Sequence, residues 1–314
     1  MRRCANVADQ LPTRADVERA RATIGDHLQR TPLLASRTLG ARLKCELFQR
    51  TGSFKVRGAL NKVRALTDDE RQAGVIAISA GNHAQAVAFA AGAVDTDALV
   101  VMWQGASEQK IEATRAYGAT VDLDASNPGE AFERLAELQA RTGRTLVHPF
   151  DDPLVIAGAG TVGLEIEEDA PDVDAVIVAV GGGGLVSGIQ TAIGATVRVI
   201  AVEPELSKAL HEGIAHGTST PVTPTSIADG LNAPFAGALP IRICGALERH
   251  LVSEDEIHDA FRFLYARTKL AAEPAAAAAV AAWRSGRIQA ENPVIVISGG
   301  NVAASTAAAI LAPR

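Results

Sequence analysis

Thr51-Gly52-Ser53-Phe54-Lys55-Val56-Arg57-Gly58-Ala59 is the most informative stretch of the chain. It brings a lysine directly after a Gly-Ser-Phe turn, at the start of a run that is compatible with a helix. A lysine in such a position is most often a solvated residue, so Lys55 alone indicates little. It gains weight from three later loops of small and hydrogen-bonding residues, at 79–83, 181–185 and 298–301.

The second of these loops is the glycine run Gly181-Gly182-Gly183-Gly184-Leu185, which follows an apolar strand pattern and precedes a helical one. Four glycines allow several backbone N–H groups to converge on one anion, and the N-terminus of a helix favours negative charge. A tight strand-to-helix turn is the alternative, but such a turn does not need four consecutive glycines. The run therefore predicts a phosphate-binding loop.

Two other phosphate-binding patterns fit this loop less well. A G-x-G-x-x-G fingerprint that starts at Gly181 or Gly182 would need glycine where Val186 or Ser187 stands. A P-loop is disfavoured because no Gly-Lys-Ser/Thr follows the glycines. Glu203 ends the next predicted strand, where a ribose-binding acid would stand, and it keeps an NAD-type oxidoreductase as an alternative.

The loop Ser79-Ala80-Gly81-Asn82-His83 stands at a predicted strand-to-helix junction. Its hydroxyl, amide and imidazole groups, together with N–H groups at the helix start, suit a carboxylate ligand. Capping of the helix by Ser79 or Asn82 explains the same residues, and the two roles are compatible. Ser298-Gly299-Gly300-Asn301 follows another apolar strand and has a turn with an N-cap as its structural alternative.

Composition restricts the class of protein. The chain has 314 residues, 47% of them hydrophobic, which suffices for a large core and suggests two domains. Its net charge is −6 and it has no basic run, which disfavours nucleic acid. The longest apolar tract, 175–193, contains the glycine run and is a poor membrane helix. Three cysteines without a CxxC pair favour a reduced, cytoplasmic compartment.

Short β-branched runs alternate with alanine-rich helical runs along the chain. Strands that are apolar on both faces and separated by helices predict mostly parallel sheets with helices on both sides. The predicted strands are 75–79, 98–103, 120–123, 145–148, 175–180, 197–202 and 294–298. The predicted helices are 84–91, 108–117, 130–141, 154–168, 185–193, 206–216, one opened by a capping box at Ser253 and Glu256 that runs to about Arg267, and one that begins at Pro274.

In this order, the four loops resemble those of the threonine/serine dehydratase family of pyridoxal-phosphate enzymes, which have fold type II. Further matches are Thr31-Pro32-Leu33, Lys44-Cys45-Glu46, Gly160-Thr161-Val162-Gly163-Leu164-Glu165, Asp229-Gly230-Leu231 and Glu273-Pro274. The resemblance implies an α/β fold with two three-layer αβα domains and mostly parallel sheets. It implies a large cofactor-binding domain of residues 1–48 plus 147–314 and a small domain of residues 49–146.

The resemblance also implies the roles of the site residues. Lys55 would hold pyridoxal phosphate as a Schiff base and serve as the catalytic residue. The implied cofactor-binding residues are Phe54, Lys55, Asn82, Gly181, Gly182, Gly183, Gly184, Leu185, Glu273 and Ser298. The implied substrate-binding residues are Ser79, Asn82 and His83. A neutral hydroxyl, that of Ser298, at the pyridine nitrogen makes the ring a weaker electron sink than a carboxylate would, which favours β-elimination.

Some members of the family bind a structural cation, and this chain matches their pattern only in part. The pattern needs a glutamate, here Glu203, a carbonyl at Ser207 and an oxygen side chain at the position of Ala209. Because alanine has no such oxygen, Glu203 is the single side-chain candidate for a monovalent or divalent cation.

Two further departures bear on activity and fold. Racemases of the family carry a second serine where this chain has Ala80, and an alanine cannot transfer a proton. The segment between Pro32 and Lys44 looks shorter than usual, which predicts that a strand is trimmed or lost. The regulatory domain of feedback-inhibited threonine dehydratases is not expected after Arg314.

The resemblance therefore predicts β-elimination, the dehydration and deamination of L-threonine or L-serine to 2-oxobutyrate or pyruvate plus ammonia. A serine racemase or a hydroxyaspartate dehydratase is the alternative on the same fold. An NAD-type oxidoreductase or a non-catalytic amino-acid sensor is more remote. The expected partners are a small amino-acid substrate and further copies of the chain in a homodimer or higher homo-oligomer, with neither nucleic acid nor membrane.

Overall fold

A computed structural model describes residues 10–312 of the chain. In that range, the strands form a six-stranded and a four-stranded sheet. The strands are β1 Leu33–Ser36, β2 Ala41–Cys45, β3 Val75–Ile78, β4 Ala98–Trp103, β5 Thr120–Ala125, β6 Thr145–Leu146, β7 Ala175–Ala179, β8 Arg198–Pro204, β9 Glu248–Val252 and β10 Pro293–Ile297. The helices are α1 Arg14–Ile24, α2 Lys55–Arg64, α3 Asp68–Ala73, α4 Asn82–Gly92, α5 Glu108–Ala116, α6 Pro128–Thr142, α7 Pro153–Asp169, α8 Gly184–Ile193, α9 Ala209–His216, α10 Ala238–Cys244, α11 Glu254–Phe263, α12 Pro274–Arg284 and α13 Ala304–Leu311.

The larger sheet has the strand order β1-β2-β10-β7-β8-β9, and every neighbouring pair is parallel except β1 with β2. Its central strand β7 is apolar and buried throughout. Successive side chains of a strand point to opposite faces, so an entirely apolar strand needs a cover on both faces. Ala175 and Ile177 pack with residues of α11 and α12, whereas Val176 and Val178 pack with residues of α7 and α8. The sheet is therefore covered by helices on both faces.

The smaller sheet has the order β5-β4-β3-β6 and is parallel throughout. Along β3, Val75 and Ala77 pack with α2 and α4, and Ile76 and Ile78 pack with α6. The predicted α/β class, with mostly parallel sheets between helices, is confirmed. All four strands lie inside residues 49–146, and the domain boundaries themselves stay a prediction.

The parallel strands bring the loops of the four motifs to one edge. β3, β7 and β10 end immediately before the loops at 79, 181 and 298, and ligands in open α/β sheets bind at the carboxyl ends of such strands. The Lys55 loop joins them through a bridge between Ser53 and Gly299.

The structure excludes the loss of a strand between Pro32 and Lys44, and whether a strand is trimmed stays a prediction. Both β1 and β2 form, and they pair antiparallel from Leu33 opposite Lys44 to Ser36 opposite Ala41. A short turn suffices to join them because Gly40 takes a φ of +60°, which favours glycine.

Other elements differ from prediction in extent. The helix predicted from Leu206 begins at Ala209, and the helix predicted to reach Arg267 ends at Phe263 and continues as a π turn over Leu264–Thr268. The elements β9, α3, α10 and α13 were not predicted.

Two expectations concern the cysteines and membranes. Cys45 and Cys244 are free and buried, and Cys4 lies outside the described residues. Between residues 10 and 312, none of the helices combines the length and the apolar character that a membrane crossing requires.

Candidate active site

A cavity of about 1070 Å³ lies at the carboxyl ends of β3, β7 and β10, and it is lined from both sheets. All the residues that the sequence assigns to cofactor or substrate line it: Phe54, Lys55, Ser79, Asn82, His83, Gly181, Gly182, Gly183, Gly184, Leu185, Glu273 and Ser298. The structure therefore brings these side chains together in one place, although their roles stay predictions.

Lys55 is the first residue of α2, and its side chain forms part of the cavity lining. Lys55 Nζ donates a hydrogen bond to the Pro149 carbonyl oxygen at 2.9 Å and lies 5.3 Å from the centroid of the Phe54 ring. Burial lowers the pKa of Lys55 to about 8, and the nearby Glu273 carboxylate opposes this shift. A measurable fraction of the amine is thus neutral near neutral pH, as a nucleophile or base requires.

The glycine loop is shaped by its surroundings. Gly183 has a φ of +97°, a conformation that residues with a side chain rarely adopt. A Cβ on Gly182 would lie 2.3 Å from the Phe150 ring. No side chain caps the N-terminus of α8, so the loop leaves helix N–H groups for another acceptor. Backbone donors at an uncapped helix N-terminus form a site for an anion such as phosphate.

A chain of hydrogen bonds connects the remaining loops. Asn82 Nδ2 donates to both carboxylate oxygens of Glu273, at 3.0 Å each. Asn301 Nδ2 donates to Asn82 Oδ1 at 2.8 Å and to the Thr51 carbonyl oxygen at 2.7 Å. Burial raises the pKa of Glu273 to about 7, and the hydrogen bond from Asn82 opposes this shift.

Backbone hydrogen bonds hold the Ser298 loop against the Lys55 loop. The Phe54 N–H donates to the Ser298 carbonyl oxygen at 3.1 Å, and the Gly300 N–H donates to the Gly52 carbonyl oxygen at 2.9 Å. Ser298 is 4% exposed and borders the cavity directly after β10. Main-chain contacts consequently fix the position of the Ser298 backbone relative to the Lys55 loop.

The start of α4 supplies free donors rather than a cap. Its N-cap residue is Gly81 and no side chain caps it, so capping by Ser79 or Asn82 is wrong. Ser79 Oγ instead accepts a hydrogen bond from the Gly81 N–H at 3.1 Å. The N-cap alternative for the fourth loop is wrong too, since α13 begins at Ala304 without a side-chain cap.

The His83 side chain is engaged with a backbone carbonyl and is uncharged, so it cannot attract a carboxylate by charge. Its Nε2 lies 2.8 Å from the Val147 carbonyl oxygen, and burial lowers the pKa of His83 to about 3. The imidazole is therefore neutral, and its buried Nδ1 has no hydrogen-bond partner within residues 10–312. The geometry favours Ser79 and the backbone of α4 over His83 for a carboxylate ligand.

Glu203 lies outside this cavity. Its two carboxylate oxygens accept hydrogen bonds from the N–H groups of Leu210 and His211, at 2.7 and 2.9 Å, and so cap α9. This explains why α9 begins at Ala209, and it leaves the ribose-binding role of Glu203 without support. Across residues 10–312, no group of three or more His, Cys, Asp or Glu side chains could hold a metal. The geometry gives the predicted cation at Glu203 no support.

Sequence reasoning missed several residues at the cavity. Lys110 of α5 pairs with Asp229, with 2.5 Å between Nζ and Oδ2. Phe132 of α6 and Phe235 bring their ring centroids to 6.1 Å, and Phe150 lies 5.7 Å from Phe235. The position of Phe150 after β6, at the carboxyl end of a parallel strand, was a usable signal.

These features define a class of enzyme. A half-buried lysine amine of lowered pKa borders the same cavity as an uncapped helix N-terminus behind a glycine loop. Such a pair suits a ligand that carries both a carbonyl group, which the amine can attack, and a phosphate, which the loop can bind.

Comparison with known proteins agrees with this class. The family described as pyridoxal-phosphate dependent enzyme matches residues 24–300. The chain belongs to this family, and its cofactor is pyridoxal 5′-phosphate.

Curated relatives cover most of the chain. The L-threonine ammonia-lyase of Thermotoga maritima is 42% identical over 304 residues, which are 92% of this chain and 76% of the relative. The catabolic L-threonine dehydratase TdcB of Escherichia coli K12 is 41% identical over 306 residues, 91% of this chain and 92% of the relative.

Solved structures of the same fold include both dehydrating and racemising enzymes. The threonine deaminase of T.th. has a TM-score of 0.87 and 38% identity, and the match covers 93% of this chain and 99% of that one. Maize serine racemase has a TM-score of 0.88 and 33% identity, with coverages of 95% and 96%. The fold alone therefore does not distinguish the two activities.

Proposed function

We propose that this protein is a pyridoxal-phosphate-dependent ammonia-lyase that dehydrates and deaminates L-threonine or L-serine to 2-oxobutyrate or pyruvate plus ammonia. The single observation that carries the proposal is the half-buried Lys55 amine, which donates to a carbonyl oxygen and borders the cavity of the glycine loop. The relatives named L-threonine ammonia-lyase and L-threonine dehydratase support the choice of reaction.

The residues present fit the cofactor. The backbone of Gly181–Gly184 and Leu185 would hold its phosphate, and Lys55 its aldehyde carbon. Asn82 Nδ2 would donate to the phenolic oxygen and the Ser298 hydroxyl would meet the pyridine nitrogen. When bound, pyridoxal phosphate supplies an electron sink for the charge that develops at the substrate Cα.

Lys55 also serves as the base in this proposal. With a pKa lowered to about 8, its amine can accept the Cα proton and return to the neutral form within the working pH range. The substrate carboxylate would be held by the Ser79 hydroxyl and by the N–H groups at the uncapped start of α4. The pairs Lys110–Asp229 and Phe132–Phe235 border the cavity and would restrict water.

Ala80 supports dehydration over racemisation. Its side chain borders the cavity beside Ser79 and carries no group that could donate or accept a proton. Inversion at Cα needs proton transfer on both faces of the substrate, and this position supplies none.

Assembly and compartment belong to the proposal as well. We expect a cytoplasmic homodimer or higher homo-oligomer with a small domain of residues 49–146. The buried free thiols of Cys45 and Cys244 suit a reducing compartment. Sedimentation equilibrium measures the oligomeric state, and a monomer at micromolar concentration would contradict this part.

The proposal is tested with the loaded enzyme and a substrate panel of both enantiomers of threonine, serine and 3-hydroxyaspartate. Formation of 2-oxo acid and ammonia is measured, and chiral chromatography detects inverted amino acid. We expect 2-oxo acid from L-threonine or L-serine and no inversion. Inversion without 2-oxo acid would identify a racemase, and binding without ammonia release would identify a sensor.

A lysine pair on one helix supplies the matched control. Lys55→Ala should lower the rate of 2-oxo acid formation by about 10³-fold or more, because the enzyme loses its base and its cofactor attachment. Lys62→Ala removes a lysine of the same helix that pairs with Asp152 at 2.8 Å and should leave the rate unchanged. Equal rates for the Lys55 variant and the wild type would refute the proposal.

A further inference from the structure

The NH₂ group of the Asn301 side chain is fully engaged at the border of two motif loops. Its Nδ2 lies 2.7 Å from the Thr51 carbonyl oxygen and 2.8 Å from Asn82 Oδ1. A backbone carbonyl can only accept, so the group that faces Thr51 must be the donating NH₂. Both hydrogens of that group are thereby engaged.

This fixes which way the Asn82 amide faces. Because Asn301 offers it a donor, Asn82 must turn its Oδ1 toward Asn301 and its Nδ2 away. Asn82 Nδ2 then meets the Glu273 carboxylate, another group that accepts when ionised, at 3.0 Å from each oxygen. The polarity of the chain is thus set from a carbonyl at one end to a carboxylate at the other.

The loop that carries Lys55 is shaped around the same amide. Thr51 has a φ of +61°, which is unusual for a β-branched residue, and Gly52 follows with +73°. A Cβ on Gly52 would lie 2.3 Å from Asn301 Oδ1, so only glycine leaves room for this side chain. Asn301 therefore contacts both the loop before Lys55 and the residue that meets the cofactor ring in the proposed function.

We propose that Asn301 is a positioning residue, which fixes the Asn82 amide with its Nδ2 on the side of Glu273 and the cavity, where it can donate to the cofactor, and which holds the Lys55 loop beside it. The proposal rests on the proposed function, from which it takes pyridoxal phosphate as the ligand, Lys55 as its attachment and Asn82 Nδ2 as the donor to its phenolic oxygen. An N–H donor stabilises an anionic ring oxygen, and an amide turned the other way would repel it. The orientation of Asn82 consequently tunes the proton shared between Lys55 Nζ and that ring oxygen.

The test replaces the donor with an acceptor of nearly the same shape. Asn301→Asp should let Asn82 turn over, so the ring oxygen loses its donor and holds the shared proton more tightly. The visible absorption of the loaded protein is titrated with pH, and we expect its apparent pKa to rise by about one unit. Equilibrium dialysis should show pyridoxal phosphate bound about tenfold more weakly.

A control separates positioning from mere stability. Asn61 is on the same helix as Lys55, is 4% exposed and donates through Nδ2 to the Leu154 carbonyl oxygen at 2.8 Å. Asn61→Asp makes the same chemical change away from the cavity, so it should lower the unfolding midpoint without moving the titration. If Asn301→Asp does not fold, Asn301→Ser removes the amide without adding charge and should move the titration in the same direction by less.

The outcomes are distinct. A titration that stays at the wild-type value in the folded Asn301 variants, whatever their stability, would overturn the positioning role. A wild-type protein that develops no visible band with added pyridoxal phosphate would overturn the proposed function, and with it this inference. A raised pKa in the Asn301 variants and an unchanged one in Asn61→Asp would support it.

Discussion

Two cations two residues apart on α2 have opposite surroundings. Arg57 is 2% exposed and is paired on both sides, with 2.7 Å from Nε to Glu46 and 2.7 Å from Nη1 to Glu165. Lys55 meets a single carbonyl oxygen, that of Pro149, and an aromatic ring. The first turn of the helix therefore carries a neutralised charge at Arg57 and, at Lys55, an amine that gives up its proton readily.

The pKa shifts follow this difference. Burial lowers the pKa of both groups, but around Arg57 the carboxylates of Glu46 and Glu165 reverse the effect and raise it above its usual range. The Glu273 carboxylate near Lys55 does not outweigh the effect of burial, so the pKa of Lys55 falls to about 8. Partners in contact make a buried cation structural, and their absence leaves it available for chemistry.

Replacement of the paired cation, Arg57, should have the largest effect on the stability of the protein. Arg57→Ala leaves the buried Glu46 without its cationic partner and leaves Glu165 with Lys44 alone. We expect the free energy of unfolding to fall by about 3–5 kcal/mol. Urea unfolding followed by circular dichroism measures it. The matched control is Arg14→Ala, whose exposed pairs with Glu18 and Glu167 should contribute about 1 kcal/mol or less. Equal losses in the two variants would show that the buried pairs of Arg57 contribute no more to stability than the exposed pairs of Arg14.

A change in the glycine loop of the cavity should lower the affinity for the cofactor. A methyl group at Gly182 would lie 2.3 Å from the Phe150 ring, so the loop must shift. Its N–H groups would then no longer point at the phosphate position. We expect Gly182→Ala to weaken pyridoxal-phosphate binding by about tenfold to hundredfold, measured by equilibrium dialysis. At Gly25 a Cβ has no neighbour within 4 Å, so Gly25→Ala should bind as the wild type does. Wild-type affinity in Gly182→Ala would argue against the phosphate site.

The smallest effect is a pH dependence of cofactor capture. Lys55 attacks an aldehyde only as the neutral amine, whose fraction grows as pH rises through its pKa of about 8. The rate at which the cofactor-free protein takes up pyridoxal phosphate should rise about tenfold between about pH 7 and about pH 9. Stopped-flow absorbance measures it. A rate that keeps rising to about pH 10.5 would show a lysine without the shift.

The sequence predicted the fold where local pattern decides it. β4 and β7 are unbroken apolar runs buried on both faces, and the glycine loop marks the start of α8. β9 escaped notice because this edge strand, Glu248–Val252, is mostly polar. The start of α9 was misplaced because a carboxylate six residues earlier, on Glu203, caps it from the end of β8.

The site was predictable as a set of loops but not as a set of contacts. Glycine and serine motifs at strand ends identify the loops that line the cavity, since parallel strands share one carboxyl edge. The acceptor for Lys55 lies 94 residues away and the partner of Lys110 lies 119 residues away, and no local pattern specifies such pairs. The imidazole contact of His83 with the Val147 carbonyl oxygen is equally invisible in the sequence. The substrate-binding role of His83 stays a prediction.

The most direct measurement is borohydride reduction of the protein loaded with pyridoxal phosphate, followed by peptide mapping by mass spectrometry. We expect the yellow absorption to vanish and one modified peptide to carry the cofactor on Lys55. Label on another lysine, such as Lys62 or Lys110, with Lys55 unmodified would contradict the assignment of Lys55 as the reactive amine.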